Sequence, residues 1–235
     1  MIALLAALAL MVAPQEPGPL ARAEAAYLAG DHAAASTDFA TALDEPGAPR
    51  HRIEFALGNC AWRLGHPAEA AWRYRRALRE APRDPATWNN LRFVERRLAL
   101  DGDADAGLVA ALEALVEVLT PRELFLLGIA LEIVGLAGAL MLRRRPLTRA
   151  ACIVALGLGI ACGVMALRDE AVEGVVLGSD VALRADPHAD LPIRVRLRAG
   201  EPVRVLEGSD RWLHVATGRG RGWVERVGVG LVGDQ

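Results

Sequence analysis

Lysine is missing from this chain: every basic side chain other than histidine is an arginine. That excludes a Walker-type phosphate loop and a Schiff-base lysine, both of which need the primary amine. Cysteine is scarce, and 3 residues do not make a disulfide framework. Cys152 and Cys162 fall inside an apolar run and read as small apolar side chains, and Cys60 reads as a buried small residue. His188 and His214 have no cysteine or ligand pair beside them, so no metal site is expected. Serines are few, and neither an HExxH motif nor a nucleophile elbow is present. No catalytic residue, no cofactor and no enzymatic activity are therefore expected. A formal net charge of -2 leaves no basic face for nucleic acid.

What the chain has in quantity is apolar side chains, 53% of 235 residues. This is too much for an ordinary soluble protein and too little for a multi-span transporter, which suits soluble modules on a small anchor. Residues 1–13, MIALLAALALMVA, read as a signal peptide or as an uncleaved anchor, and either would export the chain beyond it. Two further apolar stretches, 124–142 and 150–167, are each close to the roughly 20 residues that cross a bilayer as a helix. A two-helix transmembrane hairpin is expected, with spans at 122–142 and 150–167. The loop 143–149 between them holds Arg143, Arg144, Arg145 and Arg149 and is expected to be cytoplasmic, which places both flanking regions on the opposite side. In the second span Ala155, Gly159 and Gly163 recur every four residues, a stripe that lets another helix approach closely, with Gly135 and Ala139 to meet it. Glu132 is a carboxyl in mid-span, either bonded within the hairpin or reaching another subunit. Glu132, Ala155, Gly159 and Gly163 are the candidate residues for transmembrane assembly.

Upstream of the hairpin the chain is alanine-rich with helical periodicity and a self-similar unit. The clearest copy holds Leu57, Gly58, Gly65, Ala70, Tyr74, Ala77 and Pro82. Gly58 and Ala70 are small where two antiparallel helices would cross, Gly65 suits the left-handed end of the first, and Pro82 stops the second. Gly30, Ala35, Phe39 and Ala42 repeat part of this pattern upstream; Trp88 and Leu91 restart it downstream, with Trp88 in the aromatic position that Glu54 fails to fill. This spacing resembles the tetratricopeptide repeat, and two repeats plus a closing helix are expected over 19–100. A connecting helix is expected over 105–120. Arg73 and Arg76 belong to a basic cluster near Trp72 that either binds a partner or is a solvated face bridged to Glu69 and Glu80. Asn89 and Asn90 could meet a peptide backbone or stand on the exposed side of the closing helix.

From residue 173 the composition shifts to short valine-rich runs separated by turns such as Gly178-Ser179-Asp180 and Gly208-Ser209-Asp210, the spacing of an all-β barrel. The runs from Val181, from Leu197, from Arg211 and from Gly222 resemble a bacterial SH3-like (SH3b) domain over 173–232. The resemblance implies a peptide-binding module, with a candidate groove at Arg184 and Asp186 of the long first loop and Trp212 and Trp223 as platforms. Both tryptophans could instead close a small core; Trp223 is assigned to that core, and Trp212 is left as the candidate platform.

The fold class expected is thus multidomain: an all-α tetratricopeptide-repeat array, a two-helix transmembrane hairpin and an all-β SH3b-like barrel. That order of modules resembles the BatE-type proteins of the bacterial aerotolerance operon. The resemblance implies a non-enzymatic membrane scaffold linked to stress or oxygen tolerance. It places the protein in the bacterial inner membrane with both terminal domains periplasmic. As partners it implies von Willebrand A-domain membrane proteins and a MoxR-type ATPase. The alternative is a cell-wall peptide binder or sensor acting through the SH3b domain.

Overall fold

The computed structural model describes residues 17–98, 100, 121–141, 146–166 and 173–233. The expected signal segment at 1–13 and connecting helix at 105–120 lie outside the described residues. Five helices form the N-terminal part: α1 (Pro19–Leu28), α2 (His32–Leu43), α3 (Arg50–Arg63), α4 (Pro67–Glu80) and α5 (Pro85–Arg97). Proline in the first turn of α1, α4 and α5 starts each helix at the one place where a missing N–H costs nothing. Asp31 and Asp84 cap α2 and α5 by accepting the amides of Ala34 and Thr87, each at 3.0 Å. Gly65 ends α3 at a φ of 82°. Its amide donates to the Trp62 carbonyl and that of His66 to Ala61, the double bond of a Schellman end. Gly30 ends α1 in the same way.

Successive helices pack side by side through a core rich in alanine. Ala23, Ala35, Phe39, Ile53 and Leu57 form one buried cluster, and Ala70, Ala71, Tyr74, Leu91 and Val94 the next. Close approach of α3 to α4 requires Gly58, because a Cβ there would stand 2.5 Å from the Tyr74 ring. Tyr74 is 2% exposed, and its hydroxyl donates to Asn59 Oδ1 at 2.8 Å.

Two longer helices follow, α6 (Pro121–Met141) and α7 (Pro146–Ala166), packed against each other as a pair. Among the described residues no helix is long and apolar enough to cross a membrane. The expected transmembrane hairpin is corrected on that finding. So is the two-span inner-membrane location with periplasmic terminal domains that was built on it. The charges sit where they interrupt the apolar runs. Arg122 and Glu123 occupy the first turn of α6, and Glu132 divides the rest into two runs that each fall short of the ~17 residues a span requires. Arg149 takes up the first turn of α7, which trims its run toward the lower limit. The expected loop is also shorter, since the helix already includes Pro146 to Arg149.

The pair is close-packed through small residues. A Cβ on Gly128 would lie 2.9 Å from the Gly159 carbonyl oxygen, and one on Gly135 would lie 3.4 Å from Ala155 Cβ. The faces turned away from this seam are apolar, with Leu126, Ile133, Val134, Ile153 and Val154 all exposed. At the start of α6, Glu123 receives Arg83 from the α4–α5 turn at 2.5 and 2.6 Å.

The C-terminal part is a seven-stranded antiparallel sheet: β1 (Glu173–Val176), β2 (Val181–Arg184), β3 (Ile193–Leu197), β4 (Pro202–Gly208), β5 (Trp212–Thr217), β6 (Gly220–Glu225) and β7 (Val229–Leu231), in spatial order β3-β2-β6-β5-β4-β1-β7. The expected barrel is in fact an open sheet, because β3 and β7 are its two ends and are not paired with each other. Register shifts between Leu183 and Arg184 and between Val205 and Glu207 bend it. One core results, in which Val176, Leu183, Leu197, Val203, Leu213, Val215 and Val224 meet.

The sheet docks on the helices. Trp72 of α4 donates its indole N–H to the Leu231 carbonyl of β7 at 2.7 Å, and its ring fills the space a Cβ on Gly230 would need. Leu98 and Leu100 press in the same manner on Gly200, which turns the chain between β3 and β4 at a φ of 82°.

Candidate functional site

Arg73 and Arg76 of α4 do not point into solvent. Arg73 Nη1 donates to Glu54 Oε2 at 3.1 Å and Arg76 Nε to Glu54 Oε1 at 2.6 Å. Glu54 is 2% exposed, so the two guanidiniums satisfy a carboxylate that burial alone would make prohibitive. The bridge to Glu69 is present but longer, 3.8 Å from Arg73 Nε. Arg73 and Arg76 also lie over the Trp72 ring, 4.3 and 5.4 Å from its centroid. Glu54, its two arginines, Trp72 and β7 thus form one chain of contacts. A polar cleft of ≈ 140 Å³ opens beside it, lined by Arg50, Glu54, Arg76, Arg79, Glu80 and Val232.

Asn89 is exposed on α5. Asn90, next to it, is drawn inward and donates to Asn59 Oδ1 at 3.0 Å, the same oxygen that receives the Tyr74 hydroxyl. Burial pushes the Tyr74 hydroxyl up to about 12 and the Cys60 thiol up to about 11, so both stay protonated at neutral pH.

In the sheet, adjacent Trp212 and Leu213 are both buried, at 7% and 0% exposure. Leu213 enters the core while Trp212 does not belong to it, so Trp212 is covered on the opposite face and is not an open platform. That role falls to Trp223, half-buried and stacked on His214 at 4.9 Å between ring centroids. The register sets a row across four strands: Arg184 opposite Trp223, Trp223 opposite His214, and His214 opposite Glu207. Arg184 is tied down by a bond from Nη1 to the Leu191 carbonyl, which closes the loop that holds exposed Asp186.

Of the sequence-derived candidates, then, Arg184 stands beside an aromatic platform and Asp186 on the loop that follows it, whereas Arg73 and Arg76 are turned inward at the joint and Asn89 is exposed on α5. Ala155 and Gly159 lie in the α6–α7 seam, and Gly163 borders it at Gly128. Glu132 is half-buried over Gly159, whose Cβ would lie 2.8 Å from Glu132 Cγ, so it faces the partner helix within the pair. Glu54, Trp72 and His214 are not among the sequence-derived site residues, whereas Trp223 is named there beside Trp212. The only signal for Glu54 was its charge at the position that corresponds to Trp88 in the expected repeat.

Residues 178–229 match the family model of the bacterial SH3 domain, which covers the sheet from the turn before β2 into β7. Such a domain points to a role in binding a protein or the cell wall. A comparison with curated proteins found no match.

Proposed function

We propose that this chain is a non-enzymatic adaptor in which a tetratricopeptide-type helical array and a bacterial SH3 domain act together to hold a partner protein. The observation that carries this reading is the joint at Trp72. A sheet bonded to α4 through Leu231 and fitted around the indole by Gly230 presents its outer surface at a fixed angle to the helices. Fixed geometry between two binding modules lowers the entropic cost of engaging both at once. The repeated helix ends at Gly30 and Gly65 and the close α3–α4 crossing at Gly58 support the tetratricopeptide reading of the array. The resemblance to BatE-type proteins makes von Willebrand A-domain proteins and a MoxR-type ATPase the first partners to try. Purified full-length chain mixed with each should co-elute on gel filtration, and Trp72→Ala should weaken the complex. A chain that co-elutes with neither removes those partners, and an unchanged complex in Trp72→Ala removes the role of the joint.

A second reading is favoured by one feature, the half-exposed Trp223 stacked on His214 beside Arg184. An aromatic face flanked by a guanidinium suits a cell-wall peptide bearing carboxylates. Sedimentation of the chain with cell-wall fragments, abolished by Trp223→Ala, is the result expected of it. Absence of binding to any fragment would discard it.

A further inference from the structure

We infer that the outer face of β3 is a docking strip for an extended, carboxylate-rich segment of a partner protein; this rests on the adaptor reading and names the chemistry of the partner. Val195 and Leu197 of β3 turn toward the core, and Arg194, Arg196 and, just past the strand, Arg198 are exposed. Alternate residues of a strand share one face and recur at about 6.6 Å. The three guanidiniums therefore repeat at the spacing of carboxylates on alternate residues of an extended partner. β3 is an end strand, hydrogen-bonded to β2 on one side. At the other end of the sheet Trp72 occupies β7, so the two ends differ: one is taken by this chain and the other is lined with arginine.

The β5–β6 turn extends the strip. Arg219 Nη1 donates to the Arg196 carbonyl at 3.1 Å, which brings the turn alongside β3, and Arg221 is exposed at the start of β6. Acidic neighbours hold part of this charge: Asp180 pairs with Arg196, and Glu201 lies 3.7 Å from Arg219. Arg194, Arg198 and Arg221 have no ion pair among the described residues. The surface is thus built, with two guanidiniums positioned by acids and three left to meet an anionic ligand. Exposed ion pairs are individually weak and screened by salt, so a ligand must engage several at once. A regular acidic strand does that; isolated carboxylates do not.

Charged end strands also keep a sheet from pairing with copies of itself, and the experiment must separate that role from docking. A fluorescent peptide alternating glutamate with valine, titrated with the full chain at low salt, should give saturable anisotropy that fades as salt is raised. A peptide of the same composition with its glutamates in one block should bind more weakly, and one with lysine for glutamate should not bind. Arg194→Glu with Arg198→Glu should weaken binding at least about tenfold, the size of effect that losing close charge pairs has at other interfaces. Arg211→Glu, the same charge change at the exposed β4–β5 turn, should not; thermal midpoints of all variants serve as the folding control. The inference is overturned if the alternating peptide does not bind, if the block peptide binds equally, or if Arg211→Glu loses as much. Self-association of the double variant with peptide binding intact would equally overturn it, leaving the arginines a purely protective role. None of these results touches co-elution with a partner protein, so the strip and the adaptor reading can fail separately.

Discussion

The α3–α4 pair and the α6–α7 pair are both antiparallel helices brought together by glycine, and each turns one glutamate toward its partner helix. In the first pair Glu54 is 2% exposed and held by Arg73 and Arg76. In the second Glu132 is half-buried against Gly159 and has no ion pair among the described residues. The surroundings differ in the same sense. Around Glu54 the helix faces carry charge, with Arg50 reaching Glu80 at 4.0 Å and Arg75 reaching Glu95 at 2.6 Å, whereas the outer faces of α6 and α7 are apolar and exposed. A carboxylate in an apolar run draws attention because of its setting, yet the one that organises structure here stands among arginines, where its charge looks ordinary.

The sharpest test of that contrast is to remove each carboxylate. Glu54→Ala removes the buried carboxylate that two largely buried guanidiniums share, and removing one partner of a buried ion pair costs about 3–5 kcal/mol. The arginines retain 16% and 17% of their exposure, which argues for the lower end of that range. Urea unfolding followed by tryptophan fluorescence should show the loss, because Trp62, Trp72 and Trp88 all lie in the array. Glu132→Gln should leave the same transition in place. If both substitutions shift it alike, Glu132 is coupled to the array and the contrast fails.

The glycines break the comparison in a second way. A Cβ at Gly58 meets the Tyr74 ring at 2.5 Å, and that ring is fixed by burial and by its bond to Asn59, so Gly58→Ala should destabilise the array by about 1–3 kcal/mol, the usual cost of overpacking. At Gly159 the obstacle is the Gly128 carbonyl at 2.9 Å as well as Glu132. Gly159→Ala should therefore separate α6 from α7, read by loss of a cross-link between cysteines placed across the seam. No tryptophan lies in either helix, so the fluorescence transition should not move. A shift there would mean that the Arg83–Glu123 contact transmits strain between the two pairs.

Much of the array was legible because its signals are local. A glycine that takes a positive φ and a proline that stops a helix each act within one turn of the chain: Gly65 ends α3, and Pro82 follows the end of α4 at Glu80. The sheet was legible in its short valine-rich runs and the turns between them, although it stays open and is not the expected barrel. What sequence could not supply was pairing over distance. Glu54 meets Arg73 and Arg76 only because α3 and α4 cross at Gly58, and Trp72 meets Leu231 across a separation of 159 residues. The same limit explains the tryptophans: period two allows Trp212 and Leu213 only opposite faces, but not which face a helix or loop will cover. For the expected membrane hairpin, mean apolarity points one way and the placement of Arg122, Glu123, Glu132 and Arg149 along α6 and α7 the other.

A smaller effect sits at the start of α5, for which neither hairpin helix offers a counterpart among the described residues. Hydrogen bonds from the Thr87 hydroxyl and amide hold the Asp84 carboxyl below its ordinary range of about 3.9. A carboxyl lowered by folding contributes stability above its unfolded value, and the contribution disappears as pH falls through the folded one. Asp84→Ala should cost about 1 kcal/mol at neutral pH, as loss of an N-cap does. The gap between the variant and the parent should close below about pH 4. A gap independent of pH would assign the effect to packing at the turn and not to the charge.

The cysteines give the mildest probe of the two pairs, since they report accessibility without changing a residue. Cys60 of α3 is 0% exposed and its thiol is pushed up to about 11 by burial, so the reactive thiolate is scarce near pH 8 and no reagent reaches it. Cys152 and Cys162 of α7 are half-buried beside the seam glycines. Iodoacetamide at pH 8 should label the α7 cysteines first and reach Cys60 only with the unfolding of the array, at a rate that Glu54→Ala increases and Glu132→Gln does not. Mass spectrometry of the digested chain distinguishes the sites. Labelling of Cys60 at the rate of the α7 pair would show that α3 and α4 open as readily as the hairpin, and that Glu54 with its arginines does not lock them together.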